Sequence, residues 1–184
     1  MSEVSAPVGV TTASSAVLAA VRAVPDPEIP VISIEDLGIL RELSVDEQTG
    51  KVHAVITPTY SGCPAMRAIE DDIARVCRAH GFSAVVSTRL APAWTTDWIG
   101  ESAREALRRF GIAPPGLAPD LGDDAGAAPR RPVPVTIGGP RHTVACPRCG
   151  SERTSELSRF GSTACKALRR CDDCGDPFDE FKAF

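Results

Sequence analysis

Four of the chain's seven cysteines fall in two C-x-x-C pairs, Cys146-Pro147-Arg148-Cys149 and Cys171-Asp172-Asp173-Cys174, each followed by a glycine, Gly150 and Gly175. Two such pairs at this separation can place four thiolates tetrahedrally around one zinc ion. A glycine after each pair permits the tight backbone turn of a metal knuckle. Four thiolates close the coordination sphere, so the expected role is structural, with iron in a rubredoxin-like site as the alternative metal. Free or disulfide-linked cysteines are the plain alternative. Cys165 lies between the pairs and is expected as a small buried side chain, against a fifth ligand or a reactive thiol. His142 is expected at the surface, because the thiolate set is complete without it.

A second thiol sits in a different setting. Thr57-Pro58-Thr59-Tyr60-Ser61-Gly62-Cys63-Pro64 joins a strand to a helix. Proline suits the first helical position, which puts Cys63 at the N-cap. The unpaired N–H groups and the helix dipole there favour negative charge. The sequence therefore predicts a lowered thiol pKa and a nucleophilic or metal-binding Cys63, with hydrogen bonds available from Thr57, Thr59 and Ser61. The plain reading, that Cys63 merely fills a cap position, has equal weight. Asp26 and Glu28, in a proline-rich loop, are candidate metal ligands or a docking surface; such carboxylates are more often solvated or cap a turn. A cysteine hydrolase would need a histidine beside Cys63, and His53 is the one candidate on a neighbouring strand.

Positioning these groups takes two kinds of element. Ser14 or Ser15 can cap a helix carrying Val17, Leu18, Val21 and Val24 on its apolar face. Pro25, Pro27 and Pro30 end it. Residues 38–45 and 51–57 read as two strands of a hairpin around Asp46-Glu47-Gln48-Thr49-Gly50, with Val52, Ala54 and Ile56 on one face. A helix from Pro64 to about His80 carries Met66, Ile69, Ile73, Val76 and Cys77 as one stripe, so Cys77 reads as core. Residues 83–90 make a third strand. Thr95 or Thr96 can cap a last helix bearing Trp98, Ile99, Ala103, Leu107 and Phe110. The order α-β-β-α-β-α predicts a small two-layer α+β domain over residues 14–111. Residues 112–140, rich in Pro, Gly and Ala, read as a flexible linker. Residues 141–184 form the four-cysteine module, with short strands expected at 155–160 and 167–170.

Composition excludes several classes. Apolar residues make up 43% of 184, enough for a core, and the net charge is −4. Residues 141–184 carry eight basic and seven acidic side chains, so the module lacks the basic footprint that phosphates demand. The apolar run Ala16 to Val21 is far shorter than the roughly 20 residues of a membrane span, and no basic stretch precedes it. A cytoplasmic protein is expected, in which cysteines mean metal or thiol chemistry more than disulfides. No Glu-x-x-His pair of a carboxylate di-iron site and no G-x-G-x-x-G fingerprint is present.

Asp26-Pro27-Glu28-Ile29-Pro30-Val31-Ile32-Ser33-Ile34-Glu35-Asp36-Leu37-Gly38 resembles the opening signature of the MIP18 family, which is associated with iron–sulfur cluster assembly. The segment from Thr57 to Pro64 resembles that family's central cysteine motif. Pro92-Ala93-Trp94-Thr95-Thr96-Asp97-Trp98 is similar to its late tryptophan motif. The tail, with Phe160-Gly161-Ser162-Thr163-Ala164-Cys165-Lys166-Ala167 and Pro177-Phe178-Asp179-Glu180-Phe181-Lys182, resembles the C-terminus of the PaaD (PaaJ) family, accessory subunits of the bacterial phenylacetyl-CoA epoxidase system. The resemblance implies a MIP18-like domain followed by a zinc-ribbon-like module.

It also implies an accessory or maturation role in aerobic phenylacetate degradation, not catalysis by this chain alone. The cofactors implied are structural zinc and a transient iron or iron–sulfur cluster, the latter handled through Cys63 with Asp26 and Glu28 nearby. Implied partners are the di-iron oxygenase subunit and the flavin and iron–sulfur reductase of the epoxidase, or iron–sulfur assembly proteins, with no nucleic acid or membrane. Self-association into a homo-oligomer stays open. The competing readings are a stable, non-catalytic structural subunit of the oxygenase and a nucleic-acid-binding zinc ribbon.

Overall fold

A computed structural model describes residues 12–60, 62–116 and 143–183. Its order of elements is α1 (Thr12–Arg22), β1 (Leu40–Asp46), β2 (Lys51–Ile56), α2 (Ala65–Ala79), β3 (Ser83–Thr88), a 3-10 turn (Thr96–Trp98), α3 (Glu101–Phe110), β4 (Ile112–Ala113), β5 (Thr154–Ser158), β6 (Lys166–Cys171) and β7 (Pro177–Phe181). The chain divides into two compact units, one ending at Trp94 and the other starting at Thr95.

The N-terminal unit is a three-stranded sheet, β1-β2-β3, with α1 and α2 packed against it. β1 and β2 form an antiparallel hairpin. Asp46 Oδ1 builds its turn by accepting from the amides of Gln48 (3.0 Å) and Thr49 (3.2 Å), and Gly50 takes a positive φ of 64°. β3 runs parallel to β2, reached through α2. Strand alternation puts Val52, Ala54 and Ile56 into the core. Ile69, Ile73 and Cys77 face them at helical spacing, fully buried. The loop between α1 and β1 is itself apolar core: Ile29, Ile32, Ile34, Leu37 and Ile39 are all buried. This is the two-layer α+β arrangement the sequence predicts.

In the C-terminal unit the order of strands is β4-β7-β6-β5. β5, β6 and β7 are antiparallel, and β4 runs parallel to β7 through Ile112↔Asp179 and Ala113↔Glu180. Two features here differ from expectation. Ile112 and Ala113 are strand residues, where composition suggests the linker begins; the expected linker residues from 117 onward lie outside the described residues. The expected last helix is split. Thr95 Oγ1 accepts from the Asp97 amide (3.4 Å) and caps the 3-10 turn, but Gly100 is extended (φ −68°, ψ 164°) and α3 begins after it. Ile99, Ala103 and Leu107 are buried, whereas Phe110 is 52% exposed. Gly111, with φ 91°, ends the helix.

Candidate functional site: a four-sulfur cage and a shielded thiol

Each C-x-x-C pair of the C-terminal unit folds into the same knuckle. In the first, the Gly150 amide donates to the Cys146 carbonyl (2.9 Å) and the Cys146 amide to the Ser151 carbonyl (2.9 Å). In the second, Gly175 donates to Cys171 (3.0 Å) and Cys171 to Asp176 (3.0 Å). Gly150 and Gly175 have φ of 75° and 79°, conformations that disfavour any side chain. The four sulfurs lie within 4.8 Å of one another. Cys146 and Cys174 sulfurs are 3.8 Å apart, and those of Cys149 and Cys171 are 3.6 Å apart.

These separations fit zinc. A regular tetrahedron with metal–sulfur bonds near 2.3 Å has edges of about 3.8 Å. The Cys174 amide also points at the Cys171 sulfur (3.5 Å). That amide, together with the Asp173 amide and despite burial, lowers the Cys171 thiol to about 7. Cys174 is pushed up to about 12: the Asp176 amide pulls it down, but burial and the neighbouring sulfurs of Cys171, Cys149 and Cys146 outweigh it. Four thiolates this close need a cation among them to be ionised together. A zinc ion held by Cys146, Cys149, Cys171 and Cys174 would supply that charge and tie the two knuckles together. Cys165 is buried and stands apart from the cage, its sulfur 3.1 Å from Thr163 Oγ1.

The Cys63 thiol lies in the N-terminal unit, half-buried at the joint between β2 and α2. Pro64 already has helical angles (φ −72°, ψ −19°), so Cys63 stands where a cap residue would. Its sulfur accepts from the Ala65 amide and from the Thr59 hydroxyl. Thr57 and Thr59 are buried beside it in sequence; Ser61 lies outside the described residues.

Asp26 is 4% exposed, and its Oδ1 accepts from the Glu28 amide (2.9 Å) and the Ile29 amide (2.8 Å). The charges of both Glu28 and Asp26 act on the Cys63 thiol. Among the described residues, however, only the four-cysteine group brings three or more ligand atoms into metal-holding proximity. Asp26 and Glu28 reach Cys63 as charges, not as a closed ligand set.

The expected lowering of the Cys63 pKa is overturned. Burial raises it, Glu28 and Asp26 raise it further, and these outweigh the Ala65 amide and the Thr59 hydroxyl. The helix-end argument counts favourable amides but not the desolvation of a half-buried sulfur facing two carboxylates. Cys63 is therefore held as a neutral thiol. His53 is exposed on the solvent face of β2, opposite Ser44, and is not among the groups that shift the thiol.

Sequence reasoning missed the buried charges of the C-terminal sheet. Arg169 and Glu180 form an ion pair at 3.0 Å, with side chains 8% and 2% exposed. Lys166 is buried next to Asp179 (3.8 Å). Charged residues read as outward-facing by type; only the alternation of Arg169 with Ala167 and Cys171 along β6 hints otherwise.

An α+β domain presenting a shielded thiol, joined to a ribbon that gathers four cysteine sulfurs, defines a two-part class: a small mixed domain with a four-sulfur tail suited to a metal ion. Residues 14–87 match the family described as iron-sulfur cluster assembly protein, and residues 130–182 match the PaaD zinc beta ribbon domain. The chain is 46% identical over 161 residues to an Escherichia coli (strain K12) protein named as a putative subunit of 1,2-phenylacetyl-CoA epoxidase, covering 86% of each chain. It belongs to the PaaD family.

Two solved structures are also similar. A domain of unknown function, DUF59, from Bacillus anthracis is 26% identical, with 52% of this chain and 91% of that one covered and a TM-score of 0.46. A Mycobacterium tuberculosis protein described as associated with Fe–S complex assembly and repair is 32% identical, with 60% and 94% covered and a TM-score of 0.33. No helix among the described residues is long and apolar enough to cross a membrane.

Proposed function

We propose that this protein is an accessory maturation factor for a phenylacetyl-CoA epoxidase complex in aerobic phenylacetate degradation, helping to assemble or maintain its iron or iron–sulfur centres through Cys63. The observation that carries the reading is the thiol's setting: half-buried, hydrogen-bonded by the Ala65 amide and Thr59 hydroxyl, and within electrostatic reach of Glu28 and Asp26. A protonated thiol is a poor nucleophile, which argues against a cysteine hydrolase. A cationic iron species arriving as cargo reverses the electrostatics. It stabilises the thiolate and turns the two carboxylates from a penalty into an attraction. Thiol uptake of metal then releases a proton.

The name of the Escherichia coli relative supports the epoxidase as the client, so its di-iron oxygenase and iron–sulfur reductase components are the proposed partners. The family match to iron-sulfur cluster assembly proteins supports the cargo. The proposed site of action is the cytoplasm, where such thiols stay reduced. The ribbon's metal has a separate, structural role, with zinc favoured over iron. Cys63→Ser tests the reading. Epoxidase isolated from cells carrying only that variant is expected to lose activity and iron together, while the variant itself stays folded. Full activity and full iron content would refute the maturation role. Stoichiometric co-purification of Cys63→Ser with an active oxygenase would favour a stable, non-catalytic structural subunit instead.

A further inference from the structure

The most unusual group outside the two sites is the ion pair of Arg169 and Glu180 in the C-terminal sheet. A buried pair is costly to desolvate, and replacing it with apolar residues is often neutral. Its presence calls for a reason beyond stability. Its connections supply one. Arg169 Nη1 donates to Glu180 Oε2 on β7 (3.0 Å), and Arg169 Nη2 donates to Thr154 Oγ1 on β5 (3.3 Å). The Thr154 hydroxyl donates in turn to the Val144 carbonyl (2.8 Å). Arg169 Nε has no hydrogen-bond partner among the described residues. The guanidinium thus tolerates an orphaned donor to keep this one orientation.

Each station of this relay stands next to a metal knuckle. Val144 lies two residues before Cys146, where the chain enters the first knuckle. Arg169 lies two residues before Cys171 on β6, so strand alternation puts both on one face. Thr154 is paired with Cys171 in the ladder between β5 and β6. Val144, Cys146, Cys171 and Phe178 pack together with Ala113 in one buried cluster. The relay therefore joins the strand entering one knuckle to the segment entering the other. It runs through side chains and a single backbone carbonyl.

We propose that Arg169 is the positioning residue of the metal site: through Thr154 it sets the separation of the two knuckles, and so governs how tightly the ribbon retains its metal. Partners behind a ligand set commonly control affinity by about 10- to 100-fold. The test uses the full-length protein with zinc bound. Thr154→Val removes the hydroxyl at nearly constant volume and leaves the ion pair in place. Arg169→Met combined with Glu180→Met removes the pair without leaving a lone buried charge.

Both variants are expected to pass zinc to a competing chelator about tenfold faster than the parent or more. With cobalt in place of zinc, their ligand-field bands are expected to shift, reporting a changed tetrahedron, a signature that a loss of packing elsewhere does not produce. Leu157→Ala, a change at a side chain of the same strand that is 55% exposed, is the control and should match the parent. Should Arg169→Met with Glu180→Met fail to fold, Thr154→Val decides alone. Parent-like zinc transfer and cobalt spectra in folded Thr154→Val would overturn the proposal.

Discussion

Removing the ribbon's metal should unfold the C-terminal strands while the N-terminal sheet survives. The large apolar side chains buried in the four strands of this sheet and its entry segment are Ile112, Val144, Phe178 and Phe181. Burial of such side chains is worth about 1.5–3 kcal/mol each, so the four supply about 6–12 kcal/mol. Structural zinc in small modules contributes about 10–16 kcal/mol, so losing it removes as much as this core supplies or more. The N-terminal unit has its own core in Val52, Ala54, Ile56, Ile69 and Ile73, none of it tied to a metal. Amide hydrogen exchange, measured on the zinc-loaded protein and after chelation, reads both units at once. Amides of β5, β6 and β7 are expected to lose their protection, and those of β2 and α2 to keep it. Cys171→Ser should behave like the chelated protein. Protected β6 amides in a protein shown to be free of metal would refute the reasoning.

Glu28→Gln removes a negative charge that pushes the Cys63 thiol up, so alkylation of Cys63 should gain its half-maximal rate at lower pH; an unmoved pH profile would place Glu28 out of electrostatic reach. Ile73→Ala opens a cavity at a fully buried position and should cost about 2–5 kcal/mol, read as a lower denaturation midpoint. Gly161→Ala would set a Cβ 2.6 Å from Asp179 Oδ1 and 3.3 Å from the backbone of Ala167. It should destabilise the ribbon by about 1–3 kcal/mol through overpacking, and a parent-like rate of exchange in β6 would contradict that.

The parts legible in the sequence are those whose determinants are local. A knuckle needs two cysteines, two residues between them and a glycine after, all within one turn of chain, and the structure brings the four sulfurs of Cys146, Cys149, Cys171 and Cys174 together. The hairpin at Asp46 and the apolar stripe of α2 are equally local. The charge state of Cys63 is not. It depends on Asp26 and Glu28, far back in the chain and delivered by a folded loop, and on burial, which no spacing rule measures. β7 is hidden in the sequence because Asp179 and Glu180 disguise a strand whose Phe178 and Glu180 both point inward. The split before α3 shows two local signals in conflict. The Thr95 cap is real, but Gly100 takes an extended conformation and the helix must start again.

The pairing of β4 with β7 fastens a second part of the chain to the sheet of the ribbon. Ile112 and Ala113 are held by β7, and Val144 is held by Thr154 on β5 of the same sheet. Because β4 lies outermost in the order β4-β7-β6-β5, its two residues act as a cover for β7. Without them that strand would offer a row of open backbone N–H and C=O groups, the kind of edge with which another chain pairs.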